Sequence, residues 1–515
     1  MLLISIFILI MAIAINYKHI LNSYLFIRIG FIIFALTGVI SLNSLYIQSI
    51  GSGMGIYSGL FQITNITQFF DLFISTLGAL IFLAWPMSKN INSTQSTNLS
   101  EARSVHCKAY AIPYYLNILS RTNYPREYAL VALISTLGAS LLISSSDLIS
   151  LYLSIELQSF GVYILASIYR NIGSAVSAGL KYFLLGSLSS CIILLGATII
   201  YTYTGLTHLD SIYSLINITD NQSIIQGISL GIIVIFIGFF FKIGAAPLHN
   251  WSPDVYDGSP NIVTQWLTIM PKISLILILL EIYINLGLLE YNISILNSID
   301  KNTVINILKN LILISSIISL IIGSTVGLSQ IKIKRLLAYS TISHLGFILL
   351  ALSINTEQSV ESLIFYIVQY SLTNLNIFLI VLAVGILIHS KANHNKEETD
   401  IQYINELKGL FFYNPILSIS LSICLFSMAG IPPLIGFFSK QFILYAAIQK
   451  SLYFISIVAI IVSVISASYY LNVIKILHTN FIDNKEIIKS EININSTHSF
   501  LISSLTISIL LFILK

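Results

Sequence analysis

Apolar stretches close to twenty residues long recur along the whole chain, separated by short polar breaks. At about 1.5 Å of rise per residue, that is the length needed to cross a hydrocarbon core of about 30 Å. The stretches are continuous and do not alternate with polar positions, which excludes a β-barrel. They predict about fourteen helical spans, near 2–16, 25–45, 67–86, 128–145, 147–168, 175–203, 226–248, 261–285, 306–326, 335–354, 359–388, 411–447, 452–475 and 498–514. The twelfth is long enough to be two half-helices. A polar loop from Met87 to Arg126 follows the third. The first stretch, Leu2 to Ile15, resembles a signal-peptide core, but no A-x-A-like site follows, and it reads as a retained helix. The expected fold class is all-α, a polytopic membrane protein forming a single membrane domain.

Composition agrees: 56% of residues are hydrophobic and 9% charged, against roughly 25% charged in a soluble domain. The positive residues then test the count. With fourteen spans the loops alternate between two sides. Seventeen of the twenty-five lysines and arginines fall on one side, among them Arg170, Lys332, Lys334, Arg335 and Lys408, and four on the other. The remaining four, Lys181, Lys242, Lys272 and Lys440, lie inside spans. By the positive-inside rule the crowded side is the matrix or cytoplasm, and both termini lie opposite it.

A lysine at the middle of a span costs about 2.5–3.5 kcal/mol on insertion scales. Lys242, Lys272 and Lys440 are too deep to reach the interface, so each points to function or to an ion pair inside the bundle. Lys181, about seven residues into its span, can be read as either a snorkelling or a bundle lysine. Glu156, in SLYLSIELQSFGVYIL, must face protein or water and is expected to pair with a buried lysine. Burial disfavours the charged form of a lysine and a nearby carboxylate favours it. At an effective dielectric near 20, charges about 4 Å apart gain ~4 kcal/mol, and roughly half that at about 8 Å. Such a pair suits proton transfer better than it suits a fixed bolt. His344, in YSTISHLGFILL, is the histidine deep within a span; it can carry protons or donate to a backbone carbonyl.

Two of these lysines sit beside breaks. Gly244 and Pro247 follow Lys242 in FFFKIGAAPLHNWSPD, and Gly430, Pro432 and Pro433 precede Lys440 in FSMAGIPPLIGFFSKQFIL. Interrupted backbone at membrane depth needs protein or water to satisfy it. Paired Gly/Pro interruptions in two halves point to a transport site. The breaks fall in spans seven and twelve; an offset of five makes the halves inverted.

Several chemistries find no support. GSGMGIYSG, residues 51–59, lacks the spacing of a dinucleotide fingerprint and reads as a flexible loop. Cys107, Cys191 and Cys424 lie far apart, with no metal spacing. The sequence predicts no cofactor, no metal and no nucleic-acid partner.

Two stretches, FKIGAAPLHNWSPDVYDGSP (241–260) and MAGIPPLIGFFSKQFIL (428–444), resemble the seventh- and twelfth-helix signatures of the subunit 2 family of respiratory complex I, NADH:ubiquinone oxidoreductase. LKYFLLGSLSS (180–190) and RLLAYSTISHLGFILLAL (335–352) agree, and the resemblance covers nearly the whole chain. It implies three N-terminal helices plus the polar loop over 1–126. Two inverted five-helix repeats would follow at 127–285 and 303–478, with broken helices 7 and 12, and a last helix at 498–515. It implies proton-transfer roles for Glu156, Lys181, Lys242, Lys272, His344 and Lys440. Implied partners are other membrane-arm subunits, antiporter-like ones included, and phospholipids. With a composition rich in Ile, Asn, Tyr, Phe and Lys, the resemblance implies the mitochondrial inner membrane, both termini facing the intermembrane space. Sodium/proton antiporter subunits share this layout, so a cation/proton antiporter subunit is the alternative. A purely structural spacer is the other rival.

Overall fold

The computed structural model describes residues 1–15, 23–47, 53–84, 127–170, 172–218, 221–293, 299–391, 400–479 and 496–514. The polar loop predicted at 87–126 lies outside them. In chain order the helices are α1 (Leu2–Ile15), α2 (Ser23–Ser44), α3 (Asn65–Leu83), α4 (Glu127–Ile143), α5 (Leu148–Ala166), α6 (Gly173–Thr204), α7 (Leu209–Ile218), α8 (Gln222–Ile243) and α9 (Trp251–Gly258). They continue with α10 (Asn261–Ile293), α11 (Ile299–Leu328), α12 (Ile333–Ile354), α13 (Glu357–Lys391), α14 (Leu410–Tyr413), α15 (Pro415–Ala429), α16 (Ile435–Gln449), α17 (Tyr453–His478) and α18 (Ser496–Leu510). Among the described residues ten helices are long and apolar enough to cross a membrane. The shorter apolar helices α1, α4, α15 and α18 fill the remaining predicted spans.

The seventh and twelfth spans are broken, as the glycines and prolines require. At the end of α8, Gly244 takes φ +79°, and its N–H bonds back to the carbonyls of Phe240 and Phe241. At the end of α15, Gly430 takes φ +85° and bonds to Phe426 and Ser427 in the same way. These are glycine-terminated helix ends. The chain restarts as α9 in one case and α16 in the other, so the long twelfth stretch is indeed two half-helices.

Close packing repeats between the halves. A side chain on Gly138 of α4 would run into the backbone of Gln158 on α5, and one on Gly323 of α11 into that of Ser343 on α12. Both glycines and both partners are 185 residues apart. Gly161 meets Ser135 and Gly346 meets Leu320, again at that separation. Small residues let helix backbones approach within a membrane, and the same positions do so in each half.

The connections sort to two ends. At one end the 144–148 turn bonds to the 60–62 strand and to Thr207. At the other, Ile333 N–H donates to Gln402 and Ile404 N–H to Ile331. These are the groupings that a fourteen-span count demands. One expectation fails here. Of residues 51–59, read as a flexible loop, 51 and 52 lie outside the described residues, and 54–59 form the first strand and turn of a β-hairpin, β1 (Met54–Ile56) paired antiparallel with β2 (Phe61–Ile63). Positive φ at Tyr57, Ser58 and Gly59 makes the turn, and Gln62 N–H and Ser146 N–H tie the hairpin to the α4–α5 connection.

α10 and α12 form the centre, with 89% and 94% of their most apolar windows buried, whereas α6 is 33% buried and turns most of its surface outward.

Candidate functional site

A chain of polar groups runs through this centre. It starts between α5 and α8, where Lys242 Nζ lies 3.7 Å from Glu156 Oε1, with side chains 6% and 16% exposed. That is ion-pair distance but too long for a hydrogen bond. Lys242 Nζ also donates to Ser159 Oγ at 3.4 Å. A cavity of about 20 Å³ beside Lys242 is lined by Gln158, Ser159, Tyr163 and Pro271; it has room for one water.

From here the path crosses to α10. The Gln158 amide donates to Ser274 Oγ at 2.8 Å, and Ser274 donates back at 3.1 Å. Two residues earlier on α10, Lys272 Nζ donates to Thr341 Oγ1 of α12 at 3.1 Å and lies 5.5 Å from the Tyr256 ring. One turn after Thr341, His344 Nδ1 contacts Tyr366 Oη at 2.6 Å, and its Nε2 faces Tyr470 Oη at 3.4 Å. One imidazole nitrogen donates and the other accepts, and a phenol can answer either.

Lys440 closes the series. Its Nζ donates to the carbonyls of Met428 and Ala429 at 2.8 and 3.0 Å, and lies 5.5 Å from the Phe347 ring. Those carbonyls are at the carboxyl end of α15, where helix groups lack intrahelical partners and the dipole favours a cation. The break thus creates the acceptors that hold the lysine. Lys242 likewise stands in the last turn of α8. Among the described residues, no carboxylate lies within ion-pair distance of Lys272 or Lys440, and both are buried.

Lys181 is elsewhere. It pairs with Asp254 of α9 at 2.8 Å, not with Glu156, and its side chain is 54% exposed. Asp254 also takes Arg335 at 3.2 Å, and Asp257 takes both Arg335 at 3.0 Å and Lys332 at 2.8 Å. Lys334 bonds to Asp400 at 2.8 Å, and Asp400 accepts from Asn261 N–H at the start of α10. Five of the six sequence-selected residues therefore follow the central path, and Lys181 joins an ion cluster at one end of the bundle.

The family model described as NADH:quinone oxidoreductase/Mrp antiporter, TM, matches residues 145–466. NADH-ubiquinone oxidoreductase chain 2 of Rhizopus oryzae is 51% identical over 453 residues, covering 88% of this chain and 81% of that one. The chain belongs to this NADH:quinone oxidoreductase/Mrp antiporter family. Solved structures share the family's membrane fold. A chain of respiratory complex I from Thermus thermophilus matches with TM-score 0.70 at 22% identity, over 100% of this chain and 97% of that one. A chain of the Mrp complex from Dietzia matches at 0.75 and 15%, over 100% and 93%. Fold alone does not separate the two branches of the family.

Sequence reasoning missed several polar groups of this family member. Asp71, in α3, has a buried Oδ1 with no hydrogen-bond partner among the described residues. Its setting, TQFFDLFIS, gave the same signal as the lysines, an ionisable group in an apolar run. Gln158, Ser274, Tyr366 and Tyr470 gave no such signal, since neutral polar residues are common in spans. Among the described residues no group of three or more His, Cys, Asp or Glu side chains is placed to hold a metal ion.

Proposed function

We propose that this chain is a proton-translocating membrane-arm subunit of an NADH:ubiquinone oxidoreductase, carrying no redox chemistry itself. The supporting observation is the central row of enclosed ionisable groups, Glu156 with Lys242, then Lys272, His344 and Lys440, with the polar side chains of Gln158, Ser274, Thr341, Tyr366 and Tyr470 among them. Charges at this depth are costly, and a row of them interleaved with hydroxyl and amide groups favours proton transfer over a set of isolated bolts.

In this reading Glu156 governs the proton on Lys242. At 3.7 Å and an effective dielectric near 20 their attraction is worth ~4 kcal/mol, and a few ångströms of separation removes half of it. Protons pass by way of the water-sized cavity and Gln158–Ser274 to Lys272, then through Thr341 and His344 toward Lys440. Lys440 would pass them to a neighbouring subunit or to the exit. Lys181 assists from the ion cluster through Asp254 and α9. The setting is the mitochondrial inner membrane, with both termini in the intermembrane space, and the partners are the other membrane-arm subunits. The two inverted repeats, 127–285 and 303–478, would each supply one broken helix.

The deciding experiment places Lys242→Met in the intact complex and measures protons moved per NADH oxidised in sealed vesicles. A clear fall is expected; an unchanged ratio in an assembled, active complex would remove Lys242 from the path.

A second reading, a cation/proton antiporter subunit, draws on the family model's description, which covers both NADH:quinone oxidoreductase and Mrp antiporter chains. Sodium flux that tracked this chain in vesicles without NADH would support it. On a native gel stained for NADH-dependent reduction, migration apart from the active band would do the same.

A further inference from the structure

A second cavity, of about 460 Å³, opens between α13, α16 and α18. It extends along α13 from Glu361 to Leu372, eleven residues or about 16 Å of helix. Leu372 is the midpoint of the span Glu357–Leu387, so the groove runs from one end of that span to mid-membrane. That is about half of a 30 Å hydrocarbon core, the depth of one leaflet. A groove one leaflet deep suits a single hydrocarbon chain.

The walls suit such a chain. Ile364, Val368 and Ile509 line it, with Phe365 and Phe512 tilted together at 5.3 Å near the outer end. Of the polar lining groups, Ser508 Oγ is turned to its own backbone and Gln369 Oε1 accepts from Ser439. Glu361 is exposed at the mouth, with Glu357 one turn away and also exposed. Neither is in an ion pair among the described residues. An acidic mouth at headgroup depth favours a cationic amine and opposes a purely anionic headgroup.

We infer that this groove binds one acyl chain of an amine-headed phospholipid, with the ammonium at Glu361 and the chain end at Leu372. The inference rests on the membrane placement and not on the proton-transfer reading, so its readout is independent of pumping.

The test uses the native complex in its membrane with two lipid probes, phosphatidylethanolamine and cardiolipin, each carrying a diazirine in the acyl chain. Cross-linked peptides are mapped by mass spectrometry. Expected is labelling of α13 and α18 by the phosphatidylethanolamine probe, weaker labelling by cardiolipin, and loss of both in Ile364→Trp, which fills the groove. Val368→Phe is the milder filler if Ile364→Trp fails to assemble. Ile461→Trp, on the exposed face of α17, should change nothing at the groove. Labelling that survives both fillers would mean bulk lipid contact only, and cross-linking of the groove to a protein segment would mean a protein occupant. Either result overturns the inference. Equal labelling by cardiolipin overturns the headgroup assignment.

Discussion

Lys242 and Lys440 illustrate how a membrane protein holds a positive charge where lipid cannot. Lys242 has a carboxylate, Glu156, at 3.7 Å; Lys440 has two carbonyls at the end of a broken helix. The two arrangements predict different behaviour. Removing either member of the first pair leaves an uncompensated buried charge, which costs about 3–5 kcal/mol. Glu156→Gln and Lys242→Met should each lower the yield of assembled complex on native gels, and the double variant should recover part of it. Additive losses would mean that the two groups do not act as a pair. Lys440→Met instead strands two carbonyls, each costing about 1–3 kcal/mol, and should lower the complex's thermal midpoint. The depth of these lysines was legible in the sequence, because insertion cost follows from position in an apolar run. Their partners were not, because Glu156 and Lys242 come from different helices and only packing sets their distance.

At the scale of elements, the breaks in the seventh and twelfth spans are set by glycine and proline. Gly244 and Gly430 hold φ near +80°, a region that costs other residues about 1–2 kcal/mol. Gly244→Ala and Gly430→Ala should each lower the midpoint of thermal inactivation modestly. Gly436→Ala should be far worse, because its new methyl would strike the Ser427 carbonyl across the break. Differential scanning of the detergent-solubilised complex would rank the three, and equal effects would contradict the packing described at Gly436. The sequence showed where the helices break, since φ restriction is local. It did not show the hairpin at 54–63, whose hydrogen bonds reach residues eighty positions away.

At the scale of the whole molecule, the loops sort to two ends, and the ion cluster of Asp254, Asp257, Lys332, Lys334, Arg335 and Asp400 gathers at the end predicted to be positive-inside. A membrane-impermeant maleimide should therefore label Ser58→Cys and Lys408→Cys from opposite faces of the membrane, Lys408→Cys from the positive-inside face. Labelling of both from one face would require a different span count. By itself the sequence determined the number of spans, the grouping of their connections at two ends, the two breaks and the depth of Lys242, Lys272 and Lys440. Each of these follows from transfer energies and dihedral limits acting along short stretches. Only the tertiary structure decided that Lys181 answers Asp254 rather than Glu156, that neutral Gln158 and Ser274 meet between α5 and α10, and that Asp71 Oδ1 is buried with no hydrogen-bond partner among the described residues. Those outcomes depend on which helix faces meet, and that is fixed by the packing of the whole bundle.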